Sequence, residues 1–165
     1  MMNEKDVVDF LKKVEEAGIE IWICGGWGVD ALLGEQKRPH DDIDIFVQKE
    51  NSAAFEKMLM SNGYSEIKEK YTNDNPVWCD ADNHMIDIHL FEFSEAGTLC
   101  YDNKFYPSDI LDGRGTIAGI SVRCMTAEAQ LWGHQGYEHT EKDLYDLQLL
   151  CKTFGLSIPF KPKPV

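Results

Sequence analysis

Three aspartates carry the sharpest chemical signal in this chain. Asp42 and Asp44 stand two apart in DIDIFV, a run over 42–47 that reads as a β-strand. Side chains two apart on a strand share a face, so both carboxylates project together while Ile43 and Ile45 turn into a core. Carboxylates held side by side repel, and a divalent cation resolves the conflict. An all-oxygen donor set suits Mg²⁺, which keeps waters and takes phosphate oxygens as further ligands. Asp87 repeats the pattern in MIDIHL, with Met85 and His89 on its face and Ile86, Ile88 and Leu90 behind it. If the two strands are neighbours, three carboxylates converge, as two-metal phosphoryl or nucleotidyl transfer requires. One ion would hold a triphosphate and the other would acidify an acceptor hydroxyl, whose proton Asp87 could take. The alternative is a solvated polar face on each strand.

Two further elements fit an anionic substrate. Gly25-Gly26 lies between an apolar run and a short helical segment. Glycine lets a phosphate approach the backbone, and a helix N-terminus favours an anion. No Gly-Lys-Ser/Thr follows, so this is not a Walker A loop. In QKRPHDDID, Arg38 and His40 precede the carboxylates and could contact β- and γ-phosphates as they leave. The alternatives are a plain tight turn and a basic loop balancing acidic neighbours.

The elements that must position these residues can be read from periodicity. Val7, Phe10, Leu11 and Val14 predict a helix over 4–17, capped by Asn3 and ended by Gly18. IEIWIC predicts a strand over 19–24, and 27–33 a short helix stopped at Gly34. A helix follows from Asn51 or Ser52 to near Gly63, then strands over 64–71, 77–80 and 85–93. Residues 94–115 read as loop-rich, and 116–124, with Ala118-Gly119 inside, as a small hairpin or bulged strand. Thr126 and Thr140 cap two final helices, with Asp143 in the box position and Leu144, Leu147, Leu150 and Cys151 turned inward. Trp22 and Trp132 are assigned to the core. Strands broken by single helices and followed by a helical end predict an α+β fold, a mixed β-sheet flanked by helices. A boundary near 125 separates a catalytic core, 1–125, from a C-terminal helical segment, 126–165, packed on it.

Acidic residues outnumber basic ones 29 to 16 among 165 residues, a net charge of −13. That balance argues against a nucleic-acid partner and suits a cationic small molecule. The five cysteines are odd in number, with no CxxC pair, so neither a disulfide framework nor a zinc site is indicated. No leader and no membrane-length apolar run is read, so the expected compartment is cytoplasmic, away from membranes. The strand edges and C-terminal helices are compatible with a homodimer.

Taken in order, Gly25-Gly26, Asp42-Ile43-Asp44 and Asp87 resemble the minimal nucleotidyltransferase (DNA polymerase beta-like) superfamily. WICGGWGVDALLGEQKRPHDDIDI is similar to its antibiotic-resistance branch, which includes lincosamide and aminoglycoside nucleotidyltransferases. The shared features are the GGW-x-x-D element (Gly25, Gly26, Trp27, Asp30) and the basic residues and His ahead of D-x-D. IDIH and HQGYEHTEKDLYD, with Asp143 and Asp146 three apart, look more like the lincosamide enzymes. The resemblance runs from about Asp6 to Phe154.

It implies a nucleotidyltransferase fold and an Mg²⁺-dependent enzyme moving AMP from ATP to a lincosamide hydroxyl with release of pyrophosphate. Asp42 and Asp44 would be metal ligands, and Asp87 the third ligand and base. Gly25, Gly26, Arg38 and His40 would serve the triphosphate, and Asp30 would position the basic loop or merely cap its helix. Trp78, His89, Glu92, His134, Tyr137 and Asp143 are candidates for the acceptor pocket, where aromatic and acidic groups suit a basic amino sugar. An aminoglycoside acceptor is the alternative. A non-catalytic, antitoxin-like binding protein of the same fold is a further one.

Overall fold

The computed structural model describes residues 1–68, 75–134 and 139–157. In chain order the elements are α1 (Glu4–Glu16), β1 (Ile21–Cys24), α2 (Gly25–Leu33), β2 (Asp42–Gln48), α3 (Ser52–Ser61), β3 (Ser65–Ile67), β4 (Val77–Cys79), β5 (Met85–Phe93), β6 (Leu99–Tyr101), β7 (Lys104–Tyr106), β8 (Gly113–Ile117), β9 (Ile120–Cys124), α4 (Ala127–Gly133) and α5 (Glu141–Phe154). The main sheet runs β3-β4-β5-β2-β1-β9-β8, and β6 and β7 extend the far end of β5. It is mixed: β2 and β5 are parallel, as are β1 and β9, and the remaining pairs are antiparallel. The expected α+β nucleotidyltransferase architecture is present.

Alternation along the central strands divides the sheet into two faces. Ile43, Ile45, Val47, Ile86 and Ile88 are buried on one side, where α1 and α3 supply Val7, Phe10, Val14, Phe55 and Leu59. The opposite side carries Cys24, Asp42, Asp44, Phe46, Asp87 and His89, followed by Phe91 at its far end. Phe46 and Phe91 join Leu99, Ile110, Leu111, Met125 and Ala129 in a second apolar cluster. A third cluster, Val29, Ala127, Leu131, Leu147 and Leu150, packs α4 and α5 on α2.

The caps follow the sequence. Asn3 and Asp6 form a capping box on α1, and Thr140 and Asp143 form one on α5. Three details differ from expectation. First, α2 starts at Gly25, two residues early, because the left-handed Gly25 (φ 58°) turns the chain straight from strand to helix. Second, residues 99–106, read as loop, form the β6–β7 hairpin, whose Asp102-Asn103 turn has φ of 49° and 55°, the positive values that a two-residue hairpin turn demands. Third, Trp132 and Leu144, assigned inward, are 50% and 42% exposed. Helix α4 is too short to wrap Trp132 under a neighbour, and α5 turns Leu147 and Leu150 inward instead.

Candidate active site

The register of the central strands brings the predicted carboxylates together. Asp44 pairs across β2–β5 with Asp87 and across β1–β2 with Cys24. Ligand atoms of Asp44, Asp87 and His89 lie within 4.8 Å of one another. Asp42 shares their face and the cavity above it, but stands opposite Met85, so the tight group takes His89 as its third member. His89 is set by its neighbours: Nδ1 is 2.8 Å from the Tyr101 hydroxyl, which donates to Asn75 at 3.2 Å, and Nε2 is 3.7 Å from Asp44. Phe46 lies against the imidazole, ring centroids 5.1 Å apart.

Asp87 Oδ1 is buried with no hydrogen-bond partner among the described residues. An ionised oxygen left so is costly, and a cation is the partner that removes the cost. Burial pushes the Asp87 carboxyl up to about 6, with the charges of Asp44 and Asp42 adding to the rise and His89 opposing it. Burial and Asp44 raise Asp42 as well. Burial, then Asp44, Asp87 and Asp42, raise the Cys24 thiol, which keeps its proton and acts as a small apolar residue. The donor set and the orphan oxygen fit a divalent ion.

Gly25 and Gly26 close one side. A Cβ on Gly25 would overlap the Asp44 carboxylate, and one on Gly26 would overlap His40 and crowd the Arg38 guanidinium. Glycine is therefore required here by the approach of these side chains. Gly25 and Gly26, the first residues of α2, line the same cavity.

The basic residues are held from behind. His40, 3% exposed, places Nε2 at 2.5 Å from Asp30 Oδ2, and Asp30 is itself 2% exposed. Trp27 packs on the ring at 4.8 Å. Arg38 Nε donates to both Asp146 oxygens at 3.0 and 3.1 Å, and Nη2 donates to Oδ2 at 2.5 Å. Burial acts to lower the Arg38 pKa, and the bonds to Asp146 more than offset it.

These groups surround a cavity of about 700 Å³. Its far wall comes from α4, α5 and the β6–β7 hairpin. His134 Nδ1 is 2.7 Å from the Gln130 carbonyl, and its Nε2 is 3.7 Å from Asp143. Asp143 thus both caps α5 and lines the cavity. Burial works to raise its pKa, but hydrogen bonds from Thr140 and the charges of His134 and His139 hold it below its usual range.

Two expected pocket residues are elsewhere. Trp78 pairs with Ile86, which puts it on the core face of the sheet at 6% exposure. Glu92, one residue out of phase with His89 and Phe91, turns to the other face and meets Lys49 at 3.4 Å. Tyr137 lies outside the described residues. Sequence reasoning passed over Tyr101 and Gln130, noted Asp146 only as half of an Asp pair that carries the resemblance, without a role, and assigned the cavity-lining Trp132 to the core. Asp102-Asn103 between short apolar runs was the available signal for Tyr101; Gln130 carried none beyond helical spacing.

The fold and this constellation are those of a nucleotidyltransferase. The chain belongs to the aminoglycoside-2''-adenylyltransferase family, whose model matches residues 6–150. It is 28% identical over 162 residues to a lincosamide resistance protein from Staphylococcus haemolyticus, covering 90% of this chain and 94% of that one. It is also 28% identical over 163 residues to a 2''-aminoglycoside nucleotidyltransferase from Klebsiella pneumoniae, covering 88% and 84%. The crystal structure of the lincomycin-bound lincosamide antibiotic adenylyltransferase LnuA superposes with a TM-score of 0.80 at 27% identity, covering 90% of this chain and 96% of that one.

Proposed function

We propose that this protein transfers AMP from ATP to a hydroxyl of a lincosamide antibiotic and releases pyrophosphate. The observation that carries the reading is the pairing of Asp87 with Asp44, which lines a cavity together with Asp42, His89, Gly25 and Gly26. Asp42, Asp44 and Asp87 would hold Mg²⁺, with His89 beside them. When bound, the metal shields the triphosphate and lowers the pKa of the acceptor hydroxyl. Gly25 and Gly26 amides receive phosphate oxygens at the start of α2, and Arg38 and His40 stand where the β- and γ-phosphates would lie. Asp87 takes the hydroxyl proton. The acceptor oxygen then bonds to the α-phosphorus as the bond to the bridging oxygen breaks.

In this reading residues 1–125 carry the metal and triphosphate groups, and the helices of 126–165 complete the acceptor wall. Asp143 lines the cavity and would attract the basic amine of a lincosamide, while Asp41 and Asp102 in the same lining are paired with Lys142 and Lys104. The cavity, about 700 Å³, is near the middle of the roughly 300–1,000 Å³ range of small-molecule sites. Lincosamide is preferred to aminoglycoside as the acceptor because the chain spans 94% of the lincosamide relative and 84% of the aminoglycoside one. The family model favours the aminoglycoside as the second reading.

Mass spectrometry of products after incubation with ATP, Mg²⁺ and lincomycin, clindamycin or kanamycin tests this. An AMP adduct on the lincosamides is the expected result. An adduct on kanamycin alone would move the substrate, and no adduct on any would overturn the assignment.

A further inference from the structure

We propose that Asp146, on the C-terminal helix, is a positioning residue that aims Arg38 at the triphosphate. The inference rests on the reading above and adds to it a residue that touches no substrate.

Asp146 is 1% exposed, in the middle of α5, beside Leu147 on the helix face that packs on α2. A carboxylate so placed is costly unless paired and hydrogen-bonded. Its partner comes from 108 residues away: the Arg38 side chain, 17% exposed, meets it with Nε and Nη2 side by side. This paired geometry fixes the plane of the guanidinium, which a single contact would leave free to rotate. The Pro39 carbonyl accepts from Nη1 at 3.1 Å and holds the other edge. Each terminal nitrogen therefore keeps one N–H without a protein partner among the described residues. Nη2 stands where a Cβ on Gly26 would be 2.7 Å away, beside the first turn of α2 and on the cavity wall.

A structural ion pair needs neither the planar pairing nor a cavity at its open side. An arginine meant to receive a flexible polyphosphate needs both, because orientation fixed in advance is entropy not lost on binding. Asp143, one turn earlier on α5, faces the same cavity. One helix therefore sets the guanidinium plane and supplies part of the cavity lining.

The test is a double-mutant cycle read by titration calorimetry with Mg²⁺–ATP and with inorganic pyrophosphate. The chains are wild type, Asp146→Asn, Arg38→Gln and the double variant. Asp146→Asn should weaken pyrophosphate about tenfold, the scale of one charge-assisted hydrogen bond, and should add no further loss in the Arg38→Gln background. Asp146→Glu keeps the charge but displaces the carboxylate. It should fold and still weaken pyrophosphate, which covers the case of an Asp146→Asn chain that does not fold. Unchanged pyrophosphate affinity with a lowered melting temperature, or additive losses in the cycle, would overturn the positioning role. A wild-type chain that binds neither ATP nor pyrophosphate would overturn the nucleotidyl-transfer reading itself.

Discussion

Among the described residues, two carboxylate–histidine groups have the spacing to hold a cation, and they differ in what satisfies them. Asp80, Asp82 and His84 sit in the turn between β4 and β5. Asp80 accepts from the Asp82 and His84 amides, each at 2.9 Å, and from His84 Nδ1 at 2.9 Å, while His84 Nε2 is 3.5 Å from Asp6. Burial acts to raise the Asp80 pKa, but those bonds with His84 and Asp82 carry it below its usual range. That group clasps a turn to the start of α1. At the centre of the sheet, Asp44 and His89 line a cavity beside Asp87, which keeps an oxygen with no partner among the described residues. Carboxylate count does not make a site. An unmet buried charge beside open volume does.

Substitutions can break or sharpen that contrast. Asp44→Asn should lower turnover on the order of a thousandfold, as loss of a central electrostatic group does, measured as pyrophosphate release under saturating ATP and acceptor. Gly25→Ala should cost on the order of a hundredfold in the same assay by displacing Asp44, with the left-handed φ of 58° adding strain. A near-normal rate in either variant would remove the central group from the chemistry.

Asp87 makes a prediction in stability. Its carboxyl is raised from 3.8 to about 6 in the folded chain, chiefly by burial. The unfolded chain therefore loses this proton first, and the metal-free protein should lose stability as pH rises through that interval. Asp87→Asn removes the effect. With a chelator present it should melt above wild type at pH 7, by on the order of 1 kcal/mol after allowance for partial solvent exposure. The gain should vanish below about pH 4, and an equal gain at both pH values would deny the buried charge. The smallest effect on activity belongs to the edge group: Asp80→Asn should leave turnover within about twofold while costing about 1 kcal/mol of stability through its lost turn bonds.

Much of this was legible in the sequence because period-two alternation encodes face. Spacing alone put Asp42 with Asp44, and Asp87 with His89, on one face of their own strands, and the β2–β5 pairing then decided that the two faces are one and which residues touch. Spacing failed where register or long-range pairing decides. Trp78 was drawn to the pocket by its residue type, yet its pairing with Ile86 sends it to the core. Glu92 is off phase from His89 by one residue, a fact that alternation alone could have revealed. Asp146 stood out only as half of an Asp pair three apart, and nothing local gave it a role, since its partner Arg38 is 108 residues distant. Trp132 was assigned to the core, yet it is half exposed on a short helix and lines the cavity.

Manganese titration followed by electron paramagnetic resonance compares the two groups most directly. Wild type, Asp44→Asn and Asp80→Asn would each be titrated in the presence of ATP. Tight Mn²⁺ binding should survive Asp80→Asn and be lost in Asp44→Asn. Retention in Asp44→Asn, or loss in Asp80→Asn, would contradict the assignment of the cation, and with it the reaction, to the centre of the sheet.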